Sequence, residues 1–172
     1  MDYRFLIRPI YDQDPDIWRQ FVVLINTCLG QTFSHQLNPA EQRTVFAKFQ
    51  DAWEKYPFNF AFGAYDTDAA DRLVGFVHGQ YEGPHVTITA LYVHPEFQDR
   101  GLGSSLLSHA EVAASLQASR LDLVPATGKS AQFYRNRGYT RLPGECECFL
   151  SKDLMRMPAA VRYAAFRRTR GA

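Results

Sequence analysis

The chain has little of what marks secreted, membrane-bound or nucleic-acid-binding proteins. It holds only three cysteines, and its 19 basic residues nearly balance its 18 acidic ones. An odd cysteine count argues against a disulfide scaffold, and a balanced charge gives no field for nucleic acid or an anionic membrane. No apolar run approaches the ~18 residues that span a bilayer, and the first residues lack the apolar segment of a secretory signal. We therefore expect a soluble cytoplasmic protein with no membrane partner, and nothing in the charge balance favours a nucleic-acid partner.

Two of the three cysteines, Cys146 and Cys148, stand two residues apart. On a strand they would share one face, where we expect them to serve as small, buried or half-buried apolar side chains. A metal site would need two more ligands, and none stands nearby at usable spacing. The sequence therefore predicts no metal.

Length and composition fit one folded domain. The 172 residues are 46% hydrophobic, which is enough to build a core without cross-links. We expect an α/β (α+β) domain over residues 1–154 and a basic tail over residues 155–172, which carry several arginines and no acid. The tail is interpreted as a solvated terminal helix or a frayed end, with a contact to an acidic substrate or RNA as the alternative.

Hydrophobic periodicity and turn signals predict the order of helices and strands. Gly30 is expected to end the first helix, and Pro57 the second. The expected fold is a mixed central sheet of about seven strands flanked by about four helices. The predicted strands lie at 5–10, 58–62, 73–81, 86–93, 121–124, 139–142 and 146–150, and the predicted helices at 14–28, 38–56, 101–119 and 130–137.

The most informative stretch is Leu91–Ser104, in which an apolar strand runs into a turn, a glycine-rich loop and a helix. The first-turn amides of a helix have no internal acceptor, and the helix dipole puts partial positive charge there. Gly101 and Gly103 would let the loop backbone approach a ligand, and Arg100 would add charge at the rim. Together these features predict a cradle for a pyrophosphate group.

Two other phosphate-binding loops do not fit this sequence. A dinucleotide fingerprint needs a third glycine where Leu106 stands, and it follows the first strand of a parallel unit rather than a hairpin meander. A Walker A loop ending in Gly128–Ser130 needs a glycine where Leu123 stands. Both alternatives are rejected.

The strand before the loop loses its alternation at Leu91, Tyr92 and Val93, which are three apolar residues in a row. Broken alternation indicates a bulge or a splay, which leaves backbone amides for a ligand. A strand buried on both faces gives the same pattern, and the sequence leaves both interpretations open.

A second segment, Ser130–Tyr139, has a short helix, a stop at Gly138 and an aromatic strand start. Phe133 is expected to pack in the core, and Tyr134 projects at a different angle. A tyrosine at a cleft can protonate a leaving thiolate. A tyrosine on a helix can equally be a packing residue with a structural hydrogen bond.

In this order and spacing, the segments resemble the GNAT superfamily of acyl-CoA-dependent N-acetyltransferases. Gln98–Gly103 matches that family's Q/R-x-x-G-x-G/A loop, and Phe133–Tyr134 followed by Gly138–Tyr139 matches its second motif. Ile7–Pro9 and Phe149–Leu154 look like its first and last strands. The resemblance therefore covers nearly the whole chain except the tail.

The resemblance implies transfer of an acetyl group from acetyl-CoA to a primary amine by direct attack, with no metal, between splayed strands that admit the cofactor. Backbone groups of Leu91 and Val93 would hold the pantetheine arm, with the Val93 amide on the thioester carbonyl, and Tyr134 would protonate the departing sulfur. Amides of residues 99–104 would hold the pyrophosphate. The further implied cofactor contacts are Tyr92, Gln98, Asp99, Arg100, Gly101, Leu102, Gly103, Ser104, Thr127 and Phe133.

The chain departs from the family in two places. Thr87 and Thr89 occupy the stretch in which relatives often carry a glutamate that acts as base, and Thr127 stands where many carry asparagine. No base is assigned; the groups that could serve, directly or through water, are Glu82, His85 and His78. The alternative to an enzyme is therefore a weak or inactive acyl-CoA-binding sensor or partner module. The acceptor amine, the use of longer acyl groups and the oligomeric state, including a homodimer, are left open.

Overall fold

Six strands and four helices make up the described part of the computed structural model, which comprises residues 4–10, 15–33, 37–45, 47, 59–144, 146 and 148–155. The strands are β1 (Phe5–Pro9), β2 (Phe60–Asp66), β3 (Arg72–Glu82), β4 (His85–Val93), β5 (Arg120–Leu123) and β6 (Leu150–Asp153). The helices are α1 (Pro15–Phe33), α2 (residues 39–45 and 47), α3 (Leu102–Ala114) and α4 (Gly128–Arg135). Single 3-10 turns lie at Thr67–Ala69 and Pro95–Phe97.

The strands form one mixed sheet in chain order from β1 to β6. β1 runs antiparallel to β2, with Phe5 opposite Asp66. β4 runs parallel to β5, with His85 opposite Arg120, and β5 runs antiparallel to β6. A parallel pair needs a crossover connection, and the chain between β4 and β5 contains α3. The predicted single α/β domain with a mixed sheet is confirmed.

The last two predicted strands, at 139–142 and 146–150, are corrected. Thr140 forms an isolated bridge with Ser151, and the last strand begins at Leu150. Pro143 has no N–H to give to a ladder, and Gly144 has a φ of +83°, so the backbone leaves the extended conformation between them. The described residues therefore contain six strands rather than about seven.

The described residues within 1–78 and 90–110 form one compact part. α1 buries Phe21 and Cys28 at helical spacing, and the ring of Phe21 lies 4.0 Å from the ring of Phe76 on β3. Packing of this apolar stripe against the sheet positions α1 for the site described below.

The prediction that Gly30 ends α1 is wrong, because the helix continues to Phe33. Leu29 packs against the buried cluster on the sheet, and we attribute the continuation to such contacts. Tertiary packing of this kind outweighs the cost of about 1 kcal/mol that a glycine brings to a helix interior. A glycine is a stop signal only where such contacts are missing.

The described residues within 79–89 and 111–172 form a second compact part. β5 and β6 bury Leu121, Leu123 and Leu150, and α4 follows β5 after a short loop. None of the helices described here is long and apolar enough to cross a membrane. Parts of the predicted elements lie outside the described residues, at position 14 of the first helix, 46 and 48–56 of the second helix, 58 of the second strand and 156–172 of the basic tail.

Candidate functional site

The end of β4, the loop and the first turns of α3, residues 90–110, lie within the first part. β4 ends at Val93, the 3-10 turn Pro95–Phe97 follows, and α3 begins at Leu102. The helix was predicted to begin at about Gly101 and to reach Ser119, and it ends five residues earlier, at Ala114. The strand, turn, loop and helix thus occur in the predicted order.

At the end of β4, the N–H and C=O groups of successive residues point alternately toward β3 and away from it. The amide of His94 donates to the carbonyl of Val74 on β3 at 2.8 Å. Because backbone direction alternates along a strand, the N–H and C=O groups of Leu91 and Val93 point away from β3. The Val93 carbonyl accepts from the side-chain amide of Gln98 at 3.1 Å and from the thiol of Cys28 at 3.4 Å.

The register of β4 bears on the two interpretations of its broken alternation. Its last parallel pair with β5 joins Ile88 to Leu123, and β4 then continues to Val93. The side chains at 91–93 are half-buried rather than buried. The interpretation of a strand buried on both faces is therefore wrong for these three residues.

The loop itself has an unusual backbone. Asp99 has a φ of +58° and Gly101 a φ of +84°, and a Cβ placed on Gly101 would meet no atom within 4 Å. The amide of Ser105 bonds to the carbonyl of Gly101 at 3.0 Å and opens the helical ladder. The amides of Leu102 and Gly103 precede that ladder, so helix geometry gives them no acceptor within α3. Amides at a helix start that have no internal acceptor are suited to bind an anion.

Buried contacts hold the start of α3 close to the sheet. Leu102 and Leu106 are buried, and the side chain of Leu106 reaches Gly75 on β3. A Cβ on Gly75 would lie 2.9 Å from that side chain and 3.4 Å from the carbonyl oxygen of Tyr92. The missing side chain at this glycine therefore lets helix and strand approach where the loop backbone is exposed.

Two arginines lie near an aromatic ring that directly precedes the loop. The guanidinium of Arg100 lies 5.7 Å from the ring centre of the buried Phe97, and that of Arg4 lies 5.5 Å from the same ring. Arg4 also donates two hydrogen bonds to Asp66, at 2.9 and 2.6 Å, and these hold the pKa of that carboxyl below its usual range. Arg4 is thus paired with a carboxylate, and Arg100 is the cation on the exposed loop itself.

In the second part, Tyr134 belongs to a packed aromatic pair. It is 8% exposed, and its ring lies edge-on to Tyr139 with 5.6 Å between ring centres. The amide of Tyr139 donates to the carbonyl of Tyr134 at 3.2 Å. This bond and the ring contact fix the position of Tyr134 at the end of α4.

Sequence reasoning missed the charged group behind this pair. The hydroxyl of Tyr139 donates to the buried carboxylate of Glu111 at 3.0 Å, and Lys152 donates to the same oxygen at 2.8 Å. Burial, followed by the charge of Glu111, raises the pKa of Tyr139. The available signal was Glu111 itself, an acid on the apolar stripe of α3 between Leu107 and Ala114.

The remaining predicted contacts have structural roles of their own. Thr127 caps α4: its hydroxyl accepts from the amide of Ser130 at 3.1 Å, and its amide donates to the Ser130 hydroxyl at 2.9 Å. Phe133 is half-buried rather than a core residue, and the guanidinium of Arg137 lies 3.7 Å from its ring centre. A threonine cap thus explains the local sequence without a ligand.

The candidate bases differ in their surroundings. Glu82 is exposed and accepts from the Thr87 hydroxyl at 3.2 Å, and His85 is half-buried. His78 is buried on β3, and burial lowers its pKa to about 4. A group that is this weakly basic takes up a proton poorly at neutral pH. Among the described residues, no group of three or more His, Cys, Asp or Glu side chains is arranged to hold a metal ion.

Comparison with known proteins agrees with this geometry. Residues 59–141 match the acetyltransferase (GNAT) domain family. The PaiA N-acetyltransferase from Thermoplasma acidophilum in complex with coenzyme A is 15% identical, with a TM-score of 0.67 over 87% of this chain and 98% of that one. An acetyltransferase from Streptococcus agalactiae is 18% identical, with a TM-score of 0.70 over 88% and 99%. The ribosomal-protein-S18-alanine N-acetyltransferase from Escherichia coli is 12% identical, with a TM-score of 0.65 over 87% and 94%. None of the curated proteins compared matches the sequence.

At these identities the solved structures establish the fold alone. The matched segment, 59–141, contains both the loop before α3 and the Tyr134 motif on which the resemblance was based. Over residues 59–141 the sequence therefore matches the GNAT acetyltransferase domain. The resemblance that the motifs indicated is confirmed.

Proposed function

We propose that the chain transfers the acetyl group of acetyl-CoA to a primary amine by direct attack. The observation that carries this proposal is the loop backbone, in which Asp99 and Gly101 both have positive φ just before the start of α3. Left-handed residues in such a turn aim successive N–H groups at a common point, which suits a diphosphate. The PaiA structure, which holds coenzyme A, supports the choice of cofactor.

The proposed roles follow the direction of each group. When bound, acetyl-CoA supplies an activated acetyl group as a thioester. The amides of residues 99–104 hold the pyrophosphate, and the groups of Leu91 and Val93 that point away from β3 hold the pantetheine arm. The Val93 amide polarises the thioester carbonyl, and Tyr134 gives its proton to the departing sulfur. Thr127 and Phe133 are secondary contacts in this proposal.

The acceptor must present a neutral amine. A lysine-like amine has a reference pKa of about 10.4, so a group of the protein or a bound water has to take its proton. Glu82 and His85 are the proposed candidates, because burial makes His78 a weak base. The Escherichia coli relative acts on an alanine of a ribosomal protein, as its name states. For this chain we propose only the chemical class, a primary amine.

The loop assignment is tested by titrating acetyl-CoA into the protein and into Gly101→Ala by calorimetry. The new Cβ lies on the surface that the proposal assigns to the diphosphate, so we expect affinity to fall about tenfold, or ~1.4 kcal/mol. Gly144→Ala is the matched control, since Gly144 has a φ of +83° and equally open space around it. Both variants should lose about 1–2 kcal/mol of stability. Equal affinities for the two variants would contradict the loop assignment.

The role of Tyr134 is tested with Tyr134→Phe and a panel of amines. We expect kcat to fall about 100-fold while the KM for acetyl-CoA changes less than about threefold, because only the proton donor is lost. Tyr81→Phe is the control: its hydroxyl donates to the carbonyl of Ala113 at 3.0 Å and has no assigned part in transfer. An unchanged kcat in Tyr134→Phe would contradict the role of Tyr134 as proton donor. Tight acetyl-CoA binding without turnover on any amine would favour the sensor.

A further inference from the structure

Cys146 and Cys148 lie on an exposed turn rather than on a buried strand face. The amide of Phe149 donates to the carbonyl of Cys146 at 3.0 Å and closes the turn. The two Sγ atoms lie 2.6 Å apart, in direct contact. Two hydrogen bonds between Thr140 and Ser151, at 2.9 and 2.8 Å, tie the two ends of this segment together. The expectation of two buried or half-buried apolar side chains is therefore wrong, because the pair consists of two solvent-accessible thiols in mutual contact.

The third cysteine has the opposite surroundings. Cys28 is buried on α1, and its thiol donates to the carbonyl of Val93 at 3.4 Å. Burial raises the pKa of Cys28 to about 11. A shielded thiol that keeps its proton reacts slowly, because the thiolate is the nucleophile. Cys28 is thus an internal reference for the reactivity of the other two.

We infer that Cys146 and Cys148 form a modification site at which small-molecule disulfides of the glutathione class produce an intramolecular disulfide. Both thiols are open to such a reagent, and the turn holds them in contact before any reaction. A covalent S–S bond is about 2 Å long, so the two sulfur atoms need to move by less than about 1 Å. The site is independent of the proposed acetyl transfer.

The reaction is two successive thiol–disulfide exchanges. Both cysteines are exposed, so either can make the first attack, for example Cys146. Its thiolate attacks one sulfur of the reagent, the S–S bond of the reagent breaks, and one small thiolate leaves. Cys148 then loses its proton and attacks the sulfur of Cys146, which releases the second small thiolate. Two protein thiols have lost two electrons, and the small disulfide has become two thiols that take up the two protons.

The test exposes the full chain to oxidised glutathione without oxygen and follows its intact mass. We expect the protein to become about 2 Da lighter, since two hydrogens leave, and reduction to restore the mass. Ring closure within a turn should outpace the first exchange, so the mixed disulfide should stay below about a tenth of the protein. Peptide mapping should place the bond between Cys146 and Cys148.

Single variants give the matched controls. C148S should stop at one glutathione on Cys146, and C146S at one on Cys148. C28S should behave like the unmodified chain, because Cys28 is buried. Glutathione accumulating on both Cys146 and Cys148 of the unmodified chain, a disulfide between two chains, or two unreacted thiols would each overturn the inference.

Discussion

The loop before α3 and the group around Glu111 are built in two different ways. In the loop, the backbone conformation determines the geometry. Asp99, Arg100 and Gly101 are exposed, and the positive φ values of Asp99 and Gly101 orient the amides. Around Glu111, side chains determine the geometry, because the buried carboxylate accepts hydrogen bonds from Tyr139 and Lys152. The difference teaches that substitutions in the loop should change ligand affinity, whereas substitutions around Glu111 should change stability.

Removing the cation from the Glu111 group should give the largest effect. Lys152→Met leaves a buried carboxylate with the Tyr139 hydroxyl and no compensating charge, so we expect the free energy of unfolding to fall by about 3 kcal/mol. Urea unfolding measures this change. Lys129→Met, at an exposed position on α4, should shift the free energy by less than about 0.5 kcal/mol.

The double variant Glu111→Gln with Lys152→Met separates charge from shape. It removes both charges at once, and it should therefore be more stable than Lys152→Met alone. If the single and double variants lost equal free energy of unfolding, the charge of Glu111 would not need the charge of Lys152. The proposed difference between the Glu111 group and the loop would then be wrong.

The first part also buries an ionisable group, His78 on β3. Its burial should make the stability of the protein depend on pH. Burial lowers the pKa of His78 to about 4, against about 6.5 in the unfolded chain. Below pH 6.5 the unfolded chain takes up a proton that the folded chain does not, so stability falls with pH down to about 4. We expect a loss of about 2 kcal/mol between pH 7 and pH 5 from this residue alone.

Urea unfolding at the two pH values tests this expectation with His78→Gln. The variant should lose about 2 kcal/mol less than the unmodified chain over the same interval, whatever its absolute stability. His109→Gln is the control, since His78 is still present and the loss should persist. A pH dependence that survives in His78→Gln would show that another group causes it.

The same contrast explains which features could be predicted from the sequence. The loop between β4 and α3 depends on neighbouring residues, so glycine spacing and helical periodicity were sufficient to predict its position. The group around Glu111 joins residues 41 positions apart, and no local pattern indicates which lysine reaches a buried acid. Long-range side-chain contacts depend on the packed fold, so the sequence alone could not identify Lys152.

Tertiary contacts also explain the local errors. Gly30 predicts the end of a helix, but tertiary packing lets α1 continue to Phe33. Cys146 and Cys148 suggest a strand by their spacing, and the turn after Pro143 removes it. The left-handed conformation of Asp99 was not predicted, because aspartate adopts it in only a minority of its positions.

The smallest predicted effect tests the loop side of the comparison with one isosteric change. Asp99→Asn keeps a residue type that tolerates positive φ, so stability should change by less than about 0.5 kcal/mol. It removes a negative charge from the loop that the proposal assigns to a diphosphate, so acetyl-CoA should bind about two- to threefold more tightly, and less so at high salt. Asp71→Asn is the control: Asp71 has a φ of +57° but lies in the turn before β3, paired with Arg8 at 3.3 Å. Calorimetry of both variants at two salt concentrations decides the matter, because a gain of equal size in Asp71→Asn would mean that net charge, and not the loop, controls the affinity.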